Sequence, residues 1–116
     1  MRTKSRVDKN QPQIVKGLRR VGAVVIHCHE LKKDTFDLLV GFRGTLFVLE
    51  VKNPEDYPKS FYTSNKYEKN AYLEKRLTEE ERTCQKKLNS VNIPYHIVYD
   101  LNSALEVIGA LQPFFE

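Results

Sequence analysis

At 116 residues, 41% of them apolar and 29% charged, the chain has material for one modest hydrophobic core and none for a second domain. Its apolar runs fall far short of the ~20 residues of a membrane span, and its charged amino terminus does not read as a secretory signal, so a protein of the cytoplasm is expected. The two cysteines, Cys28 and Cys84, lack metal-finger spacing and read as reduced, partly buried thiols, which excludes a disulfide scaffold.

The net charge of +4 is unevenly placed. Arg2, Lys4, Arg6, Lys9, Lys16, Arg19 and Arg20 face only Asp8 in the first twenty residues, so that end of the molecule suits a phosphate backbone. Residues 1–9 read as a basic arm, either solvated and disordered or ordered on DNA. Asp8 or Asn10 suits an N-cap and Pro12 a first turn, predicting a helix from about Gln11 to Val21. Its stripe is Ile14, Val15, Leu18 and Val21; Lys16, Arg19 and Arg20 face outward, and Gly22 supplies the stop. Ala23 to Cys28 reads as a buried strand and Glu30 to Asp34 as a polar turn. His27 and His29 bracket Cys28 beside Glu30, but no second Cys/His pair completes a zinc site, and a polar strand end is expected. His96 reads the same way.

Two apolar runs follow, Phe36 to Val40 and Thr45 to Val51, separated by Gly41-Phe42-Arg43-Gly44; with the preceding strand they predict a three-stranded meander. Each run carries an acid, Asp37 in one and Glu50 in the other. A carboxylate set in so apolar a stretch is costly to ionise unless a cation or donor meets it. Period-two alternation places Glu50 and Lys52 on one face of their strand, with Val51 opposite. Two acids and a lysine converging on one point suit a Mg²⁺ or Mn²⁺ ion that keeps several waters, and hence phosphodiester hydrolysis. The plain alternative is an ordinary solvent-facing Glu50–Lys52 pair on an edge strand.

Beyond Lys52, residues 53–76 interleave Tyr57, Phe61, Tyr62, Tyr67 and Tyr72 with Lys59, Lys66, Lys69, Lys75 and Arg76. Such a segment is either a flap that stacks on unpaired bases, or a set of rings that bury in a second small core or a dimer interface. Thr78 with Glu81 forms a capping box that opens a helix to about Leu88. Gln85 on it is either an accessory site residue or a solvent-exposed glutamine. Tyr95 to Tyr99 reads as a strand, and Asn102 or Asp100 as the cap of a last helix from about Ser103 to Leu111. The closing Pro113-Phe114-Phe115-Glu116 is apolar enough to dock somewhere.

In its motif and element order the sequence resembles the PD-(D/E)XK nuclease superfamily, within it the VRR-NUC and archaeal Holliday-junction-resolvase-like proteins, many carried by phages. The match runs over most of the chain: the helix at Asn10-Gln11-Pro12-Gln13, AVVIHC, FDLLVG, TLFVLEVK, the helix after Leu77-Thr78, and PYHIVYD with a short helix. The resemblance implies a restriction-endonuclease-like α/β core, a central mixed sheet flanked by helices in the order α-β-β-β-α-β-α. It makes residues 10–116 one nuclease domain with an insertion at about 53–76. It also implies Asp37 and Glu50 as metal ligands together with the Val51 carbonyl, and Lys52 as the catalytic lysine. Phe36 stands where relatives often have proline. The first-helix glutamate of many relatives falls on Gln11, with Gln13 a second candidate, and neither brings a negative charge. The implied activity is structure-selective cutting of branched DNA by a homodimer. Arg6, Lys9, Lys16, Arg19, Arg20, Arg43, Lys59, Tyr62, Lys66 and Tyr67 are the candidate nucleic-acid contacts. A competing expectation is a non-catalytic nucleic-acid-binding or phage-assembly protein on the same scaffold, and an RNA nuclease is a third.

Overall fold

The computed structural model describes residues 9–28, 36–54 and 57–110. Arg6, Asp8, His29, the Glu30 to Asp34 turn and the Pro113 to Glu116 tail lie outside them. The elements are α1 (Gln11–Arg20), β1 (Val24–His27), β2 (Leu38–Phe42), β3 (Thr45–Val51), α2 (Lys59–Thr63), α3 (Lys66–Glu74), α4 (Glu79–Asn89), β4 (Tyr95–Val98) and α5 (Leu101–Ile108). This is an α/β architecture with a four-stranded mixed sheet in the order β1-β2-β3-β4. The first two pairings are antiparallel and β3 with β4 is parallel, so the expected meander is present. Two extra helices, α2 and α3, occupy the segment read as an insertion.

The hairpin turns on two residues, Arg43 and Gly44, both at positive φ (49° and 83°), because Phe42 already pairs with Thr45. Two left-handed residues match the twist of a tight hairpin, and glycine takes the second without a Cβ penalty. Gly41 and Phe42, read as part of the turn, belong to β2.

Strand alternation divides the core into two. Leu38, Val40 and Phe42 on β2, Leu49 and Val51 on β3 and Val98 on β4 meet Ile14, Val15 and Leu18 of α1 and Ala104 and Ile108 of α5. On the opposite face Val48 and Tyr95 pack with Leu77 and Cys84 beneath α4. Gly17 lets α1 and α5 approach, since a Cβ there would lie 2.4 Å from a Leu101 methyl.

Several boundaries differ from expectation. β1 is buried on one face only: Val25 is covered, whereas Val24 and Ile26 are 64% and 50% exposed, because none of the described helices lies over that part of the sheet. Val21 likewise falls outside the buried stripe of α1, which ends one residue earlier than predicted, with Gly22 at φ +96° following. α5 begins at Leu101 rather than Ser103, since Asp100 is the N-cap and closes a capping box with Ser103. Asn10 sits at the N-cap of α1 without capping it. Its Nδ2 instead donates to the main-chain carbonyls of Lys52 (3.1 Å) and Tyr99 (2.7 Å), fastening the start of α1 to the ends of β3 and β4. At the sheet edge, the Arg19 guanidinium donates to the Val25 carbonyl at 2.9 Å, occupying a main-chain acceptor that an added strand would need.

The tyrosine-rich segment is built as a small core of its own. The rings of Tyr57, Phe61 and Tyr72 pack with centroids 4.7–5.5 Å apart, and Phe61 meets Tyr99 at 5.2 Å. Arg76 lies over Tyr57 and Tyr72, and Lys69 over Phe61 and Tyr99. Tyr62 and Tyr67 stay exposed.

The close approach of α1 and α5 makes Gly17→Val overpacked, with an expected loss of about 1–3 kcal/mol in urea denaturation. An unchanged midpoint would contradict the packing of Leu101 on Gly17.

Candidate active site

The site forms at the carboxyl end of β3, on the face covered by α4. Asp37 precedes β2 by one residue. Its carbonyl still accepts the Cys28 N–H (2.8 Å), continuing the β1 ladder, while its Oδ2 accepts the Val51 N–H at 2.8 Å. The side chain thus takes the place of a ladder acceptor and ties Asp37 to β3. Both main-chain groups of a strand residue point to the same side, so the Val51 carbonyl is directed toward the Asp37 side of β3. Val51's own side chain lies in the opposite core, as alternation predicts.

Glu50 is 3% exposed, which rules out the solvent-facing pair. Tyr95 Oη donates to its Oε1 at 3.4 Å, and Lys52 Nζ lies 3.7 Å from its Oε2. Glu50 also stands within hydrogen-bonding reach of Asp37 on one side and Glu81 on the other. Lys52 makes its short contact elsewhere, 2.8 Å to Glu81 Oε1, while its main-chain N–H donates to the Val98 carbonyl.

The electrostatics follow from this burial. Desolvation, then the charge of Asp37, then the hydrogen bond and charge of Glu81 push the Glu50 carboxyl up to about 10, against the pull of Lys52. Burial also raises Asp37, opposed by the Val51 N–H and by Glu50. Burial acts the same way on Glu81 but is outweighed by hydrogen bonds from Glu50, Lys52 and the Thr78 N–H, which hold it below the usual carboxylate value. Burial and its two acidic neighbours thus favour the protonated form of Glu50, with Lys52 on the outer carboxylate. Burial and the charge of Asp37 together raise the nearby Cys28 thiol.

Gln11 is buried, and its Nε2 has no hydrogen-bond partner among the described residues. It follows directly on Asn10, whose side chain holds the Lys52 carbonyl, so the start of α1 stands at the site end of the sheet. Gln13 is exposed. Gln85 is half-buried, donates to Glu74 Oε2 at 2.9 Å, and takes no part in the cluster. His96 packs near the Phe47 ring, its pKa lowered by burial. Among the described residues no three His, Cys, Asp or Glu side chains form a metal-binding group.

The candidate nucleic-acid contacts scatter. Lys9 borders the site end of α1. Arg19 and Arg20 lie about 14 Å further along that helix, on the layer opposite α4. Arg43 sits at the far end of the hairpin, stacked 4.8 Å over Phe42. Lys16 is exposed on α1 and Lys59 opens α2. Tyr62 Oη donates to the Pro54 carbonyl, Lys66 pairs with Glu106 at 3.3 Å, and Tyr67 is fully open to solvent.

Two site residues escaped the sequence reading. Glu81 was identified as a capping-box residue, and only the packing of α4 over β3 shows its second role. Tyr95 was one strand residue among several. Comparison of the chain with protein-family models, curated proteins and solved structures returned no match.

The raised Glu50 pKa carries a pH dependence with a definite sign. Between about 4.5 and about 10 the folded chain keeps a proton that the unfolded chain has lost, so without metal this group's contribution to stability falls as pH rises through that window. Glu50→Gln removes the penalty, and in EDTA near pH 8 it should melt several degrees above the wild type, with a flatter pH profile. A variant that melts lower at every pH would contradict the assignment.

Proposed function

We propose that the protein is a metal-dependent deoxyribonuclease of the PD-(D/E)XK type that hydrolyses phosphodiester bonds in branched DNA. The observation that carries this reading is the buried Glu50 with the half-buried Asp37 beside it at the end of a central strand, Lys52 lying on the same face and close to Glu50. Nothing in the packing of a small core calls for two carboxyls there, and burying them without a cation is costly. The donor set fits a hard divalent ion: two carboxylates, with the Val51 carbonyl directed to their side, leave room for retained waters as Mg²⁺ prefers. Fully ionised, Asp37, Glu50 and Glu81 with the Lys52 ammonium carry two net negative charges, the complement of one Mg²⁺ or Mn²⁺.

When bound, such an ion lowers the pKa of a water ligand and draws charge from a phosphoryl oxygen. The chain's own residues do the rest. Asp37 and Glu50 fix the ion's place, Asp37 itself held by the Val51 N–H. Lys52 presents its ammonium where it orients the attacking water and offsets charge developing on the phosphate. Gln11 stands in as a neutral accessory group at the start of α1. Exposed cations, Lys9 just ahead of α1 among them, supply the phosphate-backbone contacts, and Tyr67 and the half-exposed Tyr62 offer faces for stacking on unpaired bases. A homodimer suits a two-fold junction substrate, and a cytoplasmic setting suits reduced Cys28 and Cys84. No helix among the described residues is long and apolar enough to cross a membrane.

A non-catalytic nucleic-acid-binding protein on the same scaffold is the second reading, favoured by the uncharged Gln11. A panel of duplex, single-stranded, flap, fork and four-way-junction DNA, with matched RNA, in Mg²⁺, Mn²⁺ or EDTA separates them. Metal-dependent cutting with a preference for branched DNA is expected, reduced at least about a hundredfold in a Glu50→Ala, Lys52→Ala double variant. Binding that ignores metal, without cleavage of any substrate, would leave the non-catalytic reading.

A further inference from the structure

We propose that Glu81 is the positioning residue of Lys52: a carboxylate fixed by the N-terminal cap of α4, it holds the lysine ammonium beside Glu50 while keeping the lysine's short contact off the Glu50 oxygens.

The distances make the case. Lys52 Nζ is 2.8 Å from Glu81 Oε1 and 3.7 Å from Glu50 Oε2, although Glu50 is the acid on its own strand face. A lysine in short contact with Glu50 would compete with a cation for the same oxygens; contact with Glu81 avoids this and keeps the ammonium within reach of the reacting groups. Glu81 is suited to the task because it does not move freely. Its Oε1 also accepts the Thr78 N–H at 2.9 Å, and its own N–H donates to Thr78 Oγ1 at 3.1 Å, a reciprocal capping box. Leu77, just ahead of the cap, is buried against Val48 and Cys84 and fixes the start of α4 over the sheet. Both partners in the Lys52–Glu81 pair are largely shielded, at 16% and 17% side-chain exposure. A flexible four-carbon stem thereby acquires a defined end point, set by the packing of another helix. Glu81 acts through Lys52 and need not touch substrate.

This inference gives the proposed nuclease site a residue for holding its lysine, and so rests on that reading for its consequence in rate, though not for the contact itself. The test exploits the capping box, which accepts glutamine as readily as glutamate at this position. Glu81→Gln keeps the cap and removes the charge that holds Lys52. Thr78→Ala weakens the cap and keeps the charge. In ¹H–¹⁵N spectra of the lysine side-chain ammonium groups, a Lys52 resonance, assigned by its absence in Lys52→Met, should be visible in the wild type and in Thr78→Ala but lost in Glu81→Gln. Thr78→Ala should melt lower than the wild type and Glu81→Gln close to it. In cleavage assays Glu81→Gln should lose about tenfold to a hundredfold in kcat with KM unchanged. Glu81→Asp, which keeps the charge but falls short by one methylene, should also lose the resonance and decides the matter should Glu81→Gln not fold. A Lys52 resonance that persists in both Glu81 variants, or unaltered kcat in a folded Glu81→Gln, would overturn the inference. A wild type that cuts no DNA would refute the nuclease reading alone, since the spectra still decide whether Glu81 holds Lys52.

Discussion

Burial of the Glu50 carboxyl at the end of a central strand is the constraint on which the rest of this site depends. A carboxylate cannot be left ionised in such a place without partners. Its surroundings are correspondingly specific: a tyrosine hydroxyl from β4, a lysine just past the end of β3, an aspartate held by the next residue's N–H, and a second glutamate from α4. Each comes from a different part of the chain, so the cluster exists only when β2, β3, β4 and α4 are all assembled. A proton on Glu50, favoured by its burial and acidic neighbours, eases the conflict. In the proposed nuclease a divalent ion would ease it further, by meeting both Asp37 and Glu50 and balancing the charge of Glu81 and Lys52.

The same arrangement explains why the ends of the strands are so heavily braced. Asn10 gives up the capping role its position offers and ties α1 to the Lys52 and Tyr99 carbonyls. Tyr99 in turn packs on Phe61, joining the aromatic core of α2 and α3 to the end of β4. Arg82 donates to the Glu74 carbonyl and Gln85 to its carboxylate, linking α3 to α4. The segment between Lys52 and α4 is therefore no loose appendage. It is connected by hydrogen bonds and ring contacts to the helix that carries Glu81 and to the strand that carries Tyr95.

Much of this was legible in the sequence, and what was not has identifiable causes. The strand alternation of Glu50, Val51 and Lys52, the capping box of α4 and the stop at Gly22 are local signals that the structure bears out, and of the turn read at Gly41-Phe42-Arg43-Gly44 the second half, Arg43-Gly44, forms it. The conversion of Tyr57, Phe61 and Tyr72 into a small core was one of two open readings, since interleaved tyrosines and cations suit either stacking on a ligand or stacking on each other. Non-local facts were hidden. A capping residue's carboxylate looks fully occupied until the strand beneath it is placed, which is why Glu81 escaped notice. Asn10 looked like a cap because nothing local revealed two strand-end carbonyls, 42 and 89 residues away, competing for its amide. The exposure of Val24 and Ile26 could not be read from an apolar run that fits a buried strand equally well.

The central claim, that this site exchanges a proton for a divalent cation at Glu50, is tested most directly by calorimetric titration of Mn²⁺ into the metal-free protein near neutral pH in buffers of different ionisation enthalpy. The account predicts saturable binding with release of close to one proton, and loss of that release in Glu50→Gln. Binding without proton release, or no binding by the wild type, would contradict it.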